Sequence, residues 1–219
     1  MNAEERKRSE REARLAEEVR REFARRQRER RSLEKGWELN MNFLAGNQYC
    51  GIAPDGEIEE EEARYSWQCR RVFNHIAPAI DTRCAKLAQV RPVMTVRAAT
   101  GREEDLRAAR LAGEVLRAVC EECAFDEVVS RATVWSETCG TAFYKILWDA
   151  SANGGAGAVR VVAVPPFEIY PENLGCEGIE EQGSIMHAKA MPVEEIERLY
   201  GVRVPGRDIG EFSLSPYSE

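Results

Sequence analysis

Apolar residues recur along the first forty-five positions at helical spacing. Leu15, Val19 and Phe23 stand four apart, and Leu33, Trp37, Met41 and Leu44 follow at intervals of four, four and three. That periodicity places them on one helix face. Between Ala24 and Leu33 the stripe nearly vanishes, in the run Arg25-Arg-Gln-Arg-Glu-Arg-Arg31. No Pro or Gly occurs from Met1 to Lys35, and the residues are strong helix formers. Residues 3–45 therefore read as one long helix, with Gly36 a place for a break and Gly46 a stop. The lost stripe divides the region: residues 1–32 read as a charged projecting helix, and residues 33–45 pack on a body.

Pro54 to Glu62 reads as a turn and an exposed acidic loop, and Tyr65 to Phe73 as extended chain. Asn74 can accept hydrogen bonds from the free first-turn donors of a helix over 75–89. Its expected buried face is Ile76, Ile80, Cys84, Leu87 and Ala88. Pro92 ends it, and Val93 to Val96 then form a short strand. Thr100 and Glu103 have capping-box spacing. The helix they open carries Leu106, Ala109, Gly113, Leu116, Cys120 and Cys123 on one seam. A second helix covers about 126–138, with Val128, Val129, Ala132 and Trp135 inward and Gly140 at its end.

Thr141 to Asp149, a Gly-rich turn and Val159 to Val164 make a hairpin signal. Directly after it comes Val164-Pro-Pro-Phe-Glu-Ile-Tyr-Pro-Glu-Asn-Leu-Gly175. Its prolines confine any strand to a few residues. It reads as a fixed corner, with Pro165, Phe167, Ile169 and Tyr170 packing and Glu168 and Glu172 facing solvent. Ser184 to Ala190 suggests a strand, and Pro192 to Tyr200 a short helix stopped by Gly201. The fold class is α+β: a long N-terminal helix, then a helical layer on a small, mostly antiparallel sheet. The body covers 33–201, and 202–219 form an irregular tail.

Composition adds little to the fold and more to the chemistry. The 219 residues are 43% hydrophobic and 32% charged, with net charge -7. Residues 1–35 hold thirteen Lys and Arg against nine Asp and Glu, so a basic arm precedes an acidic body. No apolar run approaches the roughly 18–20 residues that span a bilayer, so no membrane partner is expected. The seven cysteines are odd in number and scattered, which fits reduced thiols better than a disulfide framework. Cys120-Glu-Glu-Cys123 has no second pair to complete a zinc site, and both cysteines lie on the helical seam. His75 stands beside a helix cap and His187 on a strand, without a nucleophile pattern. No phosphate-cradling or dinucleotide motif occurs, and no cofactor, metal or catalytic set is expected. One candidate contact remains, to phosphate or to a partner: Arg20, Arg21, Arg25, Arg26, Arg28, Arg30 and Arg31. Glutamates interrupt this run and no aromatics alternate with it, so base stacking is unsupported. A nucleic-acid-binding module using 20–31 is the alternative function; a small enzyme using Asp81, His75 or the cysteines is a second rival.

The ordered series of these pieces resembles the N-terminal part of portal proteins of tailed double-stranded DNA phages. Trp37 to Tyr49, WELNMNFLAGNQY, is similar to the family's opening helix and its aromatic–Leu–x–Gly–x–Gln–aromatic turn. Arg71 to Ile80 resembles its Asn-x-hydrophobic-x-Pro helix start. Arg91 to Val96, the helix with Glu104, Asp105 and Leu106, and the Gly step from Cys139 to Asp149 follow in order. The Pro-rich corner and SIMHAKAMPVEEIERLYG complete the likeness over about 37–201. The resemblance implies a non-enzymatic ring at one capsid vertex of the virion, assembled in the host cytoplasm. Its partners would be other copies of itself, the terminase large subunit, capsid and scaffold proteins, a tail adaptor and passing duplex DNA. The family's stem, clip and crown do not fit after Gly201. The chain is thus expected to be the wing region alone, truncated, and a monomer or weak oligomer.

Overall fold

The computed structural model describes residues 3–61, 65, 67–90 and 93–206. The element order is α1 (Ala3–Ala45), β1 (Cys50–Ile52), β2 (Ile58–Glu60), α2 (Ile76–Gln89), α3 (Glu103–Glu122) and α4 (Phe125–Cys139). Then come β3 (Phe143–Asp149), β4 (Ala158–Val164), β5 (Ile169–Pro171), β6 (Ile185–His187) and α5 (Val193–Tyr200). The strands form three two-stranded sheets, β1–β2, β3–β4 and β5–β6, so the fold is α+β as the sequence predicts. Two compact units share the chain: 1–38, 51–59 and 167–219 make the first, and 39–50 and 60–166 the second.

The first unit holds α1 up to Glu38; the helix is unbroken, with Gly36 inside it, and the left-handed Gly46 (φ 96°) follows its last residue in the second unit. Strand β5 runs antiparallel to β6, pairing Ile169 with His187 and Tyr170 with Met186. The buried hydrophobic residues here are Phe167, Ile169 and Tyr170 of the corner. Helix α5 begins after Pro192 and ends at Gly201 in the left-handed region. The acidic stretch is not all loop: after the turn at 54–57, Ile58 to Glu60 extend as β2, because Ala53 donates to the Glu57 carbonyl and closes a hairpin. Glu62 and residues 207–219 of the tail lie outside the described residues.

In the second unit the Asn74 side chain accepts from the Ile76 and Ala77 amides at 3.0 and 3.1 Å, capping α2 from outside its first turn. His75 contributes no cap. The expected buried face of α2 is only partly covered: Ile80 and Cys84 are half-buried, while Ile76 and Leu87 remain exposed. Val93 to Val96 form no strand and pair with none among the described residues; Arg91 and Pro92 lie outside the described residues. The capping box is also absent. The Thr100 hydroxyl turns to Asp105 instead of the Glu103 amide, and Arg102 occupies the cap without a side-chain bond. Helix α4 buries Val128, Ala132, Thr138 and Cys139, and Gly140 (φ 79°) ends it.

The β3–β4 hairpin pairs seven residues, from Phe143 with Val164 to Asp149 with Ala158. Gly157 adopts φ 82° at its turn, where a Cβ would lie 2.1 Å from the Trp148 indole. Asp149 closes the turn by accepting from the Ser151 hydroxyl and amide and from Arg160. Those bonds favour its ionised form and hold its carboxyl down at about 2. A depressed folded pKa stabilises the fold above the unfolded value and loses that contribution as pH falls. The Ser151 amide should therefore gain exchange protection above about pH 4 and lose it toward pH 2. Hydrogen exchange of that amide across this range checks it; protection that ignores pH contradicts it.

Candidate functional site: an arginine-filled corner

The stripe that fades in the sequence continues in the structure. Past Phe23 the same face of α1 presents Arg26, Arg30, Glu34 and Trp37, at spacings of three, four, four and three. Arg26, Arg30 and Glu34 are 3%, 1% and 5% exposed. Arg30 is among the most deeply buried side chains of the protein.

What they cover is the proline corner. A strand of three residues, ended by Pro171, cannot pair all the carbonyls around it, and a buried carbonyl without a donor is costly. Arginine supplies five donors in a rigid fork and no acceptor. Arg30 donates from Nη2 to the Phe167 carbonyl at 2.7 Å and from Nη1 to the Ile169 carbonyl. Arg26 donates from Nη1 to the Tyr170 carbonyl at 3.0 Å and the Ser184 carbonyl at 3.2 Å, and from Nη2 to the Ser184 hydroxyl at 2.6 Å. The two side chains thus tie β5 and the start of β6 to the helix.

Each buried cation has a carboxylate one turn away. Arg30 Nε meets Glu34 Oε1 at 2.9 Å, and Arg26 Nε meets Glu22 Oε1 at 2.8 Å. Hydrogen bonds from Arg25 and Arg26 hold the Glu22 carboxyl down at about 2. Aromatic rings fill the space left. The Arg30 guanidinium lies 3.6 Å from the Tyr170 ring centroid and 5.7 Å from that of Trp37. Phe23 meets Tyr170 edge-on at 4.7 Å, and Trp37 meets Phe167 at 5.3 Å. Burial raises the Tyr170 phenol above its ordinary range, with the Arg30 charge pulling the other way.

The corner is more polar than its sequence suggests. Glu168 does not face solvent: it is 8% exposed, and its Oε2 lies 2.8 Å from His187 Nε2. Register explains this, since Ile169 pairs with His187 and the Glu168 carbonyl accepts from the Ala188 amide at 2.9 Å. Glu172 is exposed and accepts from the Ser184 hydroxyl at 2.9 Å.

The seven arginines singled out by sequence do not converge on one surface. Arg26 and Arg30 meet at the corner. Arg25 lies between Glu22 and Glu29, Arg31 reaches Glu57, and Arg20 stands 3.9 Å from Glu17. Arg28 donates to the Ala24 carbonyl, and Arg21 is exposed. The clue to Arg26 and Arg30 is positional: extending Leu15, Val19 and Phe23 by helical steps lands on both. Cys120 and Cys123 are half-buried and unbridged, and Cys123 Sγ donates to the Val159 carbonyl at 2.9 Å. No cluster of three or more metal-ligating side chains occurs among the described residues, and no described helix is long and apolar enough to cross a membrane.

The corner's side chains tie β5 and the start of β6 to α1, and one family comparison spans it. Residues 19–212 match the phage P22-like portal proteins. The chain belongs to that portal family. The match begins on the stripe leading into Phe23, spans the arginine-filled corner and runs past α5. Portal proteins are structural components of the phage head, where they form oligomeric rings at a capsid vertex. No curated protein and no solved structure matches this portal chain.

Proposed function

We propose that this chain is the wing-like part of a portal ring and works by shape rather than by catalysis. The observation that carries the reading is the family match across the corner, where buried polar groups are arranged to fix backbone geometry. Its acidic body suits a conduit for duplex DNA, because like charge keeps the polymer sliding. The partners implied are further copies of the chain, the terminase large subunit, capsid and scaffold proteins and a tail adaptor, met in the host cytoplasm as heads assemble. The bare stretch of α1, Arg6 to Arg21, acts as an arm, and the chain that follows, to residue 201, as the wing body.

Gold labelling of the chain in purified phage heads tests this. One labelled vertex per head is expected. Label spread over the shell, or absent from it, overturns the reading.

A further inference from the structure

Two faces of this chain lack a covering. The first is the arm: from Arg6 to Arg21 every side chain of α1 is exposed, including Leu15 at 60% and Val19 at 48%. Twenty residues of helix are about 30 Å long and marginal in water without a packed face. The second is a groove of about 890 Å³ between residues 93–96 and the seam of α3. Val93, Met94 and Val96 form one wall, and Ala109, Gly113 and Leu116 form the other. Helix α3 buries none of its side chains, although its apolar residues keep strict helical spacing. Over Gly113 an added Cβ would meet nothing within 4 Å, so another helix can approach there closely.

We propose that the arm of one copy lies in this groove of a second copy, with Leu15 and Val19 against Met94, Val96 and the Gly113 saddle. This rests on the portal reading, which requires contact between copies, and names the surfaces that make it. Three observations select a second copy as occupant. The same chain carries both halves, a helix with a bare stripe and a groove lined along α3 from Ala109 to Glu121. Both surfaces also carry unpaired charges of both signs. On the rim, Arg110, Glu114, Arg117 and Glu121 make no ion pair among the described residues, and neither do Arg11, Arg14, Glu18 and Arg21 on the arm. Lastly, Ala3 to Glu22 carries seven basic and seven acidic residues, a zero balance that suits a mixed-charge protein rim and not a polyphosphate. An arm in a neighbour's groove is a heterologous contact, which leaves each end of a pair open and propagates to a ring when the rotation closes.

Cys120 lines the groove and offers a reporter. A full-length Leu15→Cys chain, isotopically heavy, is mixed with light chain carrying the native Cys120 and treated with a short bis-maleimide. Peptide mass mapping should find heavy residue 15 joined to light Cys120. Ala13→Cys, on the opposite helix face, should join about tenfold less. Gly113→Leu fills the saddle from a Cβ that meets nothing within 4 Å in its own chain and improves helix propensity, so it should keep the fold while cutting the cross-link about tenfold. Links found only within one chain, equal yields from positions 13 and 15, or no effect of Gly113→Leu each overturn the proposal. A single labelled vertex in heads together with any of these results removes the docking mode and leaves the portal reading intact.

Discussion

Arg30→Ala is expected to destabilise the first unit by about 3–5 kcal/mol, the scale for removing one partner of a buried ion pair. Three losses fall together. Glu34, itself 5% exposed, keeps a buried charge without its cation. The Phe167 and Ile169 carbonyls lose their arginine donors where β5 is too short to replace them. The Tyr170 ring loses the guanidinium stacked on its face. Arg30→Lys should recover little, because an ammonium cannot reproduce a planar fork serving two carbonyls and a carboxylate. The double variant Arg30→Met, Glu34→Met removes the stranded charge and should regain part of the loss, but the carbonyls remain bare. Urea unfolding, with hydrogen exchange at the Glu172 and Ala188 amides as a local probe, measures all three. A loss under about 1 kcal/mol for Arg30→Ala would place it among exposed ion pairs and refute the account.

The same corner shows what a sequence reading can reach. The elements with strong local signals were legible: α1 and its Gly46 stop, the Asn74 cap, α4 with Gly140, the β3–β4 hairpin, and α5 between Pro192 and Gly201. Each depends on neighbours a few residues away. The misses depend on distant partners. Val93 to Val96 have strand composition but no strand beside them among the described residues, so propensity alone does not make them β. Thr100 has the capping-box spacing, yet its hydroxyl bonds to Asp105. Glu168 alternates with apolar residues as a solvent-facing residue should, and pairing with β6 brings His187 to it instead. Hydrophobic periodicity is blind to Arg26 and Arg30 for another reason. It assumes that a buried face is apolar, whereas here the surface to be covered is a row of carbonyls. Polar residues at i, i+4 with opposite charge, lying on the extension of an apolar stripe, are the signal that would have marked it.

Tyr170→Ala is the second large effect, about 3–5 kcal/mol by the usual scale for a buried aromatic cut to alanine. Tyr170 is 2% exposed and sits at the centre of the joint, with Phe23 edge-on to it and Arg30 across its face. Tyr170→Phe keeps the ring and both ring contacts, so it should lose no more than about 1 kcal/mol, the net worth of one hydrogen bond. The Tyr170→Ala and Arg30→Ala losses should add to more than the double variant shows, because the stacked pair shares one interaction. The ring also connects stability to assembly. Phe23 is the last member of the Leu15–Val19–Phe23 stripe, and its contact with Tyr170 fixes which face of α1 the arm presents. Cutting the ring should therefore lower the Leu15→Cys to Cys120 cross-link between copies even at temperatures where the rest of the chain stays folded. Tyr170→Phe should leave it unchanged. An arm that cross-links equally well in Tyr170→Ala would show that its docking face is set by the groove alone and that the corner's polar packing serves only the local fold.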